Sequence, residues 1–190
     1  MHVRRASPSA DGGHPVTTTL PLLLRRGGDA EFRRFLYDFM TVADRMEALR
    51  DYFGRKAGIT GPQYTLLMAV MQLGDGEGVP LRDVAAHLRV TRAFVTLESG
   101  RLIRAGIVAK RANPHDGRSS LLSLSVKGRR LIDRLVPEVR SVNDLFFSRL
   151  DRTTYRQARS LIAELLEGSR LAMAHAGARH ALHHDAWGGR

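Results

Sequence analysis

The sequence predicts a mainly α-helical fold that carries one small β-hairpin, and three observations predict it. Apolar residues recur at steps of three and four through long stretches on both sides of the centre, the period of amphipathic helices. Between those stretches, two short helical patterns are joined by so tight a gap that they form a helix-turn-helix. Two short apolar runs then flank Asn113-Pro114-His115-Asp116-Gly117, whose turn chemistry joins antiparallel strands.

Met1 to Thr19 is rich in Pro, Ser, Gly and Thr and reads as a flexible arm. It holds Arg4 and Arg5 but no apolar signal-like region. The run Leu20 to Leu24 is interrupted by Pro21 and ends at Arg25 and Arg26, so neither a signal peptide nor a membrane span is expected, and the cytoplasm is the expected location. From Glu31, Phe32, Phe35, Leu36, Phe39, Val42, Met46, Leu49 and Phe53 mark one helix, with Gly54 and Gly58 expected to close it. Thr60 before Gly61 and Pro62 is an N-cap, and Tyr64, Leu67, Met68 and Met71 carry the next stripe up to Gly74. Asp75 to Gly78 has turn chemistry and reads as an exposed loop.

Leu81 to Leu88 is a short helix with Leu81, Val84, Ala85 and Leu88 inward. Thr91 caps a second one, from Arg92 to about Ala105, that stops at a left-handed Gly106. Ile107 to Arg111 and Leu121 to Ser125 are the hairpin strands, with Leu122 and Leu124 on one face. Val126 to Leu150 follows as a helix through Leu131, Leu135, Val139, Val142, Leu145 and Phe146, which Pro137 should kink. Asp151 to Met173 repeats the pattern through Tyr155, Leu161, Ile162, Leu165 and Leu166. Helices of this length need another surface for their stripes, and a second copy of the chain is the economical answer.

At 190 residues and 43% hydrophobic content, the chain fits one domain plus an oligomerisation layer. It has no cysteine, which excludes disulfide scaffolds, thiolate zinc sites and thiol redox sensing. The net charge of +11 is concentrated: Arg82 to Arg130 holds eleven Lys and Arg against three Asp and Glu, a net +8. A basic segment built around a groove-sized helix asks for double-stranded DNA, which binds chiefly through phosphate neutralisation and counterion release. An enzyme is not expected, because there is no glycine-rich phosphate loop, nucleophile elbow or His-Glu-x-x-His.

Three motifs carry a family resemblance. Arg111 to Gly128, RANPHDGRSSLLSLSVKG, resembles the wing and fifth-helix start of winged-helix regulators of the multiple-antibiotic-resistance (MarR) type. Its Asp-x-Arg falls on Asp116 and Arg118, its strand on Leu121 to Leu124, its cap on Ser125 and its Lys-Gly on Lys127 and Gly128. Val90 to Thr96, VTRAFVT, resembles the start of the family's recognition helix, and Gly58 to Val70, GITGPQYTLLMAV, its second helix. The resemblance runs from about Glu31 to Ala174. It implies a mainly α fold with a small β-hairpin wing, in which N- and C-terminal dimerisation helices flank a winged helix-turn-helix core. The expected organisation is a flexible N-terminal arm (1–30), an N-terminal dimerisation helix (31–57), the DNA-binding domain (58–125), C-terminal dimerisation helices (126–174) and a basic, His-rich tail (175–190).

A recognition helix lies in the major groove with its N-terminal residues at base edges, which selects Thr91, Arg92, Ala93, Phe94 and Thr96. Arg92 suits a bidentate pair with guanine, and Ala93 and Phe94 suit thymine methyls. Phe94 has a second reading as a core aromatic. Arg101 and Arg104, a turn or more later, suit phosphate. In the wing, Arg118 is the residue expected in the minor groove. Asp116 either orients Arg118 or caps an Asx turn. Arg111, His115, Ser119, Ser120 and Lys127 complete the wing set, with phosphate contacts expected of Arg111, Ser119, Ser120 and Lys127. The sequence departs from the family habit at Gly117, where Arg is usual, and at Glu98-Ser99-Gly100, where apolar or basic residues are usual. For Glu98, an acceptor for cytosine N4 and a repeller of phosphate both stand. Gly100 reads as a site of close helix packing.

The resemblance further implies a homodimer on a pseudo-palindromic operator. It implies a repressor released by a small, often aromatic and anionic, effector that binds between the dimer interface and the DNA-binding lobes. Tyr37, Met40, Asp44, Arg45, Tyr64, Met68 and Met71 are the candidate lining, with packing as the plainer role for most. Arg45 is the candidate for holding a carboxylate. His175, His180, His183 and His184 lack a Cys partner and read as part of a mobile basic tail, so no metal and no cofactor is expected. The competing function is a non-specific architectural DNA coater without ligand response.

Overall fold

The computed structural model describes residues 14–74, 77–114 and 116–177, with backbone alone at Gly117 and Arg118. Six helices and three short strands follow in the order α1 (Ala30–Ala57), α2 (Gly61–Leu73), β1 (Val79–Pro80), α3 (Leu81–Leu88), α4 (Arg92–Arg104), β2 (Val108–Asn113), β3 (Asp116–Leu124), α5 (Val126–Phe146) and α6 (Arg152–His175). The chain divides into two units at Leu49/Arg50, inside α1.

In the first unit, residues 14–29 take defined local structure ahead of α1. Pro21–Leu23 forms a 3-10 turn, and Arg25 and Gly28 pair as a β-bridge. Asp29 is the anchor, only 1% exposed. Its carboxylate accepts from the Thr17 N–H at 2.7 Å and the Thr17 hydroxyl at 2.6 Å, and it pairs with Arg33 one turn into α1. The Thr17 hydroxyl and N–H hold Asp29 below the usual carboxylate range, against the upward push of burial. Part of the expected 1–30 arm is therefore tied down by one buried acid.

In the second unit, α1 does not stop at Gly54 as expected. It runs on to Ala57, and Gly58 at φ +70° turns the chain. Gly54 serves close approach instead: a Cβ there would lie 2.7 Å from both the Gly61 nitrogen and the Thr60 carbonyl carbon. Thr60 caps α2 in a reciprocal box, accepting from the Gln63 N–H while the Gln63 side chain accepts from the Thr60 N–H.

The core forms where α2, α3 and α4 meet the sheet. Leu66, Leu67, Val70, Val84, Val95, Leu102 and Leu122 are fully buried, and Ile132 joins them from α5. The sheet order is β1-β3-β2, all antiparallel, with Val79 opposite Leu122 and Val108 opposite Leu124. The strand β1 was not expected. The hairpin strands are longer than expected, β2 reaching Asn113 and β3 starting at Asp116, with a bulge between Ala112 and Asn113.

Ser125 caps α5, accepting from the Gly128 N–H, and its hydroxyl donates to the Gly106 carbonyl at 2.6 Å and the Ile107 carbonyl at 3.0 Å. Lys127 donates to the Ala105 carbonyl at 2.8 Å. These groups bond the carbonyls of the three residues that follow α4, where Gly106 has φ +68° as expected of a C′ residue. Lys127, expected at phosphate, also holds this junction through that bond. α5 continues through Pro137 as one helix to Phe146, shorter than the expected Leu150. Asp151 caps α6 by accepting from the Thr154 N–H at 2.7 Å, which draws its pKa down.

Candidate nucleic-acid interface

The exposed face of α4 and the adjoining part of β3 form the basic surface that the sequence predicts. Thr91 caps α4 by accepting from the Phe94 N–H at 3.1 Å, so its oxygen is committed to the helix before any base. Arg92, Ala93 and Thr96 are exposed on the following turn, and the Thr96 hydroxyl donates back to the Arg92 carbonyl at 2.9 Å. Phe94 is half-buried and packs against the core, as its second reading expects of it. Val95 and Leu102 fix the inward face at 0% exposure.

Between α4 and the wing lies an open cleft of about 340 Å³, lined by Leu81, Arg82, Arg92, Thr96, Asp116, Ser119 and Ser120. It brings together five residues of the DNA-binding set chosen from sequence in two separate motifs: Arg92 and Thr96 from the helix, Asp116, Ser119 and Ser120 from the strand. It also brings in Arg82, which sequence reasoning passed over. The Arg82 guanidinium lies 3.9 Å from the Asp116 carboxylate and 3.4 Å from that of Asp83. Asp116 therefore has a basic partner on α3 besides the expected Arg118, whose side chain lies outside the described residues, as does His115.

Several wing contacts are local. Ser119 donates to the Asp116 carbonyl at 3.1 Å and accepts from the Asn113 amide at 2.9 Å, stiffening the turn and leaving its hydroxyl little freedom for phosphate. Arg111 donates to the Glu77 carbonyl through Nε at 3.1 Å and through its second nitrogen, so its head braces the loop before β1 as well as facing solvent.

Glu98 differs from both expectations. It is 5% exposed on the inward face of α4, where it can neither read cytosine nor face phosphate. Gln63 donates to its Oε2 at 3.1 Å and Arg101 to its Oε1 at 2.7 Å. Arg101 is thus ion-paired, while its side chain stays 48% exposed on the helix. Gly100 has no tight packing neighbour, since a Cβ there would meet only Arg104 Nη1 at 3.8 Å. The signal that could have found Glu98 is its spacing, three residues after Val95 and four before Leu102.

Of the candidate effector lining, Tyr37, Met40, Asp44 and Arg45 are exposed on the α1 part of the first unit. Tyr64 is a core aromatic, its ring 5.3 Å from that of Phe53, and burial pushes its phenol pKa up. Met68 is half-buried and Met71 exposed. A second open cavity, of about 420 Å³, lies elsewhere, between Arg89 and the α5–α6 corner at Phe147, Tyr155 and Ile162. Among the described residues no His, Asp and Glu cluster could hold a metal, and His180, His183 and His184 lie outside them. No helix among the described residues is long and apolar enough to cross a membrane.

A helix-turn-helix with a three-stranded wing and a basic outer face defines a winged-helix DNA-binding protein. Residues 57–119 match the model of the MarR family. No curated protein matches the chain. Among solved structures, a MarR family regulator from Streptomyces coelicolor in complex with DNA is similar at TM-score 0.66 and 23% identity, over 73% of this chain and 91% of that one. The M. tuberculosis regulator MOSR in complex with DNA is similar at TM-score 0.56 and 23% identity, over 71% and 97%. CouR from Rhodococcus jostii, bound to p-coumaroyl-CoA, is similar at TM-score 0.61 and 21% identity, over 69% and 90%. The chain thus has the fold of winged-helix regulators, and its residues 57–119 are similar to the MarR family.

Proposed function

We propose that the protein is a homodimeric repressor that binds a pseudo-palindromic operator and is released by a small aromatic anion. The observation that carries the DNA-reading part is the shared cleft: Arg92 and Thr96 on α4 stand across from Ser119 and Ser120 on β3, a helix for the major groove beside a strand for the flanking backbone. Arg92 pairs with a base edge, Arg118 enters the minor groove, and Arg82 with Ser120 meets the phosphates between.

The dimer reading draws on exposed apolar side chains within each unit. Phe35, Leu36, Phe39, Met40 and Met46 on α1 are exposed. Leu145 (72% exposed), Leu161, Ile162 and Leu171 on the α5–α6 arm are exposed as well, and no residue of α6 is buried. Apolar side chains left exposed in such number along a helix mark an association site. The effector reading draws on Arg45, exposed on α1, as a carboxylate partner. The similar fold of CouR with its p-coumaroyl-CoA supports the aromatic anion as a class.

Fluorescence anisotropy with duplexes from the gene's own upstream region, against bulk competitor across a salt series, tests the reading. A regulator prefers its site by about 10³ or more. Arg118→Ala weakens binding to all duplexes, whereas Arg92→Ala relaxes preference at particular bases. Sedimentation should give twice the mass of one chain. A lone monomer with no preference among duplexes refutes the proposal, and a non-specific coater is then the reading that stands.

A further inference from the structure

Glu98 is the buried ionisable group that groove reading alone does not use. It stands on the core side of α4, with Val95 one turn before it and Leu102 one turn after, both at 0% exposure. A carboxylate withdrawn from water persists only when its oxygens are matched. Both are matched here, and by elements that sequence separates widely: Gln63 on α2 at 3.1 Å and Arg101, one turn further along α4, at 2.7 Å. Gln63 is itself fixed, its amide oxygen accepting from the Thr60 N–H at 3.2 Å and its own N–H donating to the Thr60 hydroxyl at 3.4 Å. One chain of polar contacts thus runs from the cap of α2, through the core, to a guanidinium that is 48% exposed on the recognition helix.

Two physical effects follow. Rotating α4 about its axis, or sliding it along α2, breaks a buried charged hydrogen bond, so the direction in which Arg92 and Thr96 point is fixed. The carboxylate also offsets the Arg101 charge, so that this cation attracts any phosphate less strongly than a free arginine would. We propose that Glu98 is a specificity-determining positioning residue. Held by Gln63, it sets the rotation of the recognition helix and restrains Arg101, so that affinity depends on groove fit more than on indiscriminate attraction to the backbone. The inference rests on the reading of α4 as the groove-entering helix.

The test is operator and bulk-duplex affinity, each measured across a salt series, for the full-length protein and four variants. Glu98→Gln keeps the volume and an acceptor for Gln63 but frees the Arg101 charge. Bulk affinity should rise, the salt slope should steepen by about one phosphate's worth, and operator preference should fall by roughly tenfold. In the Glu98→Gln/Arg101→Ala double variant the bulk gain should vanish, returning to the value of Arg101→Ala alone. Gln63→Met, which loosens the anchor but spares the ion pair, should lower operator preference with the salt slope unchanged, and it serves if Glu98→Gln does not fold. An unchanged slope and preference in Glu98→Gln, a bulk gain that survives Arg101→Ala, or full preference in Gln63→Met each overturns the inference. If the wild type itself shows no operator preference, the groove reading fails and takes this inference with it. If the wild type does prefer its operator and the variants behave as wild type, this inference fails alone.

Discussion

Gly54→Ala turns the crossing of α1 and α2 into a measurement. A methyl group at Gly54 would sit 2.7 Å from the Gly61 nitrogen, 2.7 Å from the Thr60 carbonyl carbon and 2.8 Å from the Thr60 oxygen. All three are backbone atoms, so no side chain can swing aside. The N-terminus of α2 must retreat by about 0.5–1 Å, and overpacking of this kind costs about 1–3 kcal/mol. The retreat also strains the Thr60–Gln63 box, with a further loss of up to about 1 kcal/mol. Against this, Ala in a helix interior gains roughly 1 kcal/mol over Gly. The net is a destabilisation of about 0–3 kcal/mol, which for a chain of this size lowers the melting temperature by up to about 12 °C.

Gly100→Ala is the matched control. It too lies inside a helix, but a Cβ there meets only Arg104 Nη1 at 3.8 Å. That variant should gain roughly 1 kcal/mol and melt about 2–4 °C higher. Far-UV circular dichroism melts at one fixed protein concentration separate the two. Helix propensity alone predicts that both rise equally, so a Gly54→Ala protein melting as high as Gly100→Ala refutes the close-approach argument.

Thr60→Ala removes one half of the α2 capping box and should cost about 1 kcal/mol, read as a shifted urea midpoint at unchanged slope. Leu122→Ala empties the fully buried centre of β3 and should cost about 2–5 kcal/mol in the same experiment. For Asp29, whose folded pKa lies below the ordinary 3.8, the sign of the pH dependence is set. The stability it gives the 14–29 segment is complete above the unfolded pKa and is lost as pH falls through the lower folded value. Limited proteolysis or amide exchange of that segment should be flat above about pH 5 and rise below about pH 4. Asp29→Asn should abolish that acid dependence, and an unaltered acid limb in the variant rules out the Thr17–Asp29 anchor as its source.

What the sequence made legible was local. Thr60, Thr91 and Ser125 cap helices because a short hydroxyl before an apolar-periodic run has few other uses, and each accepts from the N–H three residues on. Gly106 was readable for the same reason, as a residue whose conformation the following backbone demands. What escaped was set by partners distant in the chain. Gly54 looks like a helix stop until Thr60 and Gly61 are folded against it. Val79 and Pro80 have no strand pattern of their own and become β1 only by pairing with Leu122 and Leu121. Arg82 looks like one more solvated charge until the wing brings Asp116 near it. Glu98 looks like an intruder in a DNA-binding helix until Gln63, 35 residues earlier, supplies its partner.

The bonds from Ser125 and Lys127 to the residues just after α4 have a mechanical consequence. Because the tail of the reading helix is bonded to the first turn of α5, the two turn as one lever. With 21 residues, that lever is about 30 Å long. A tilt of about 6° at its far end swings the head by about 3 Å, nearly the rise of one base step. A pivot that small needs no melting of any helix.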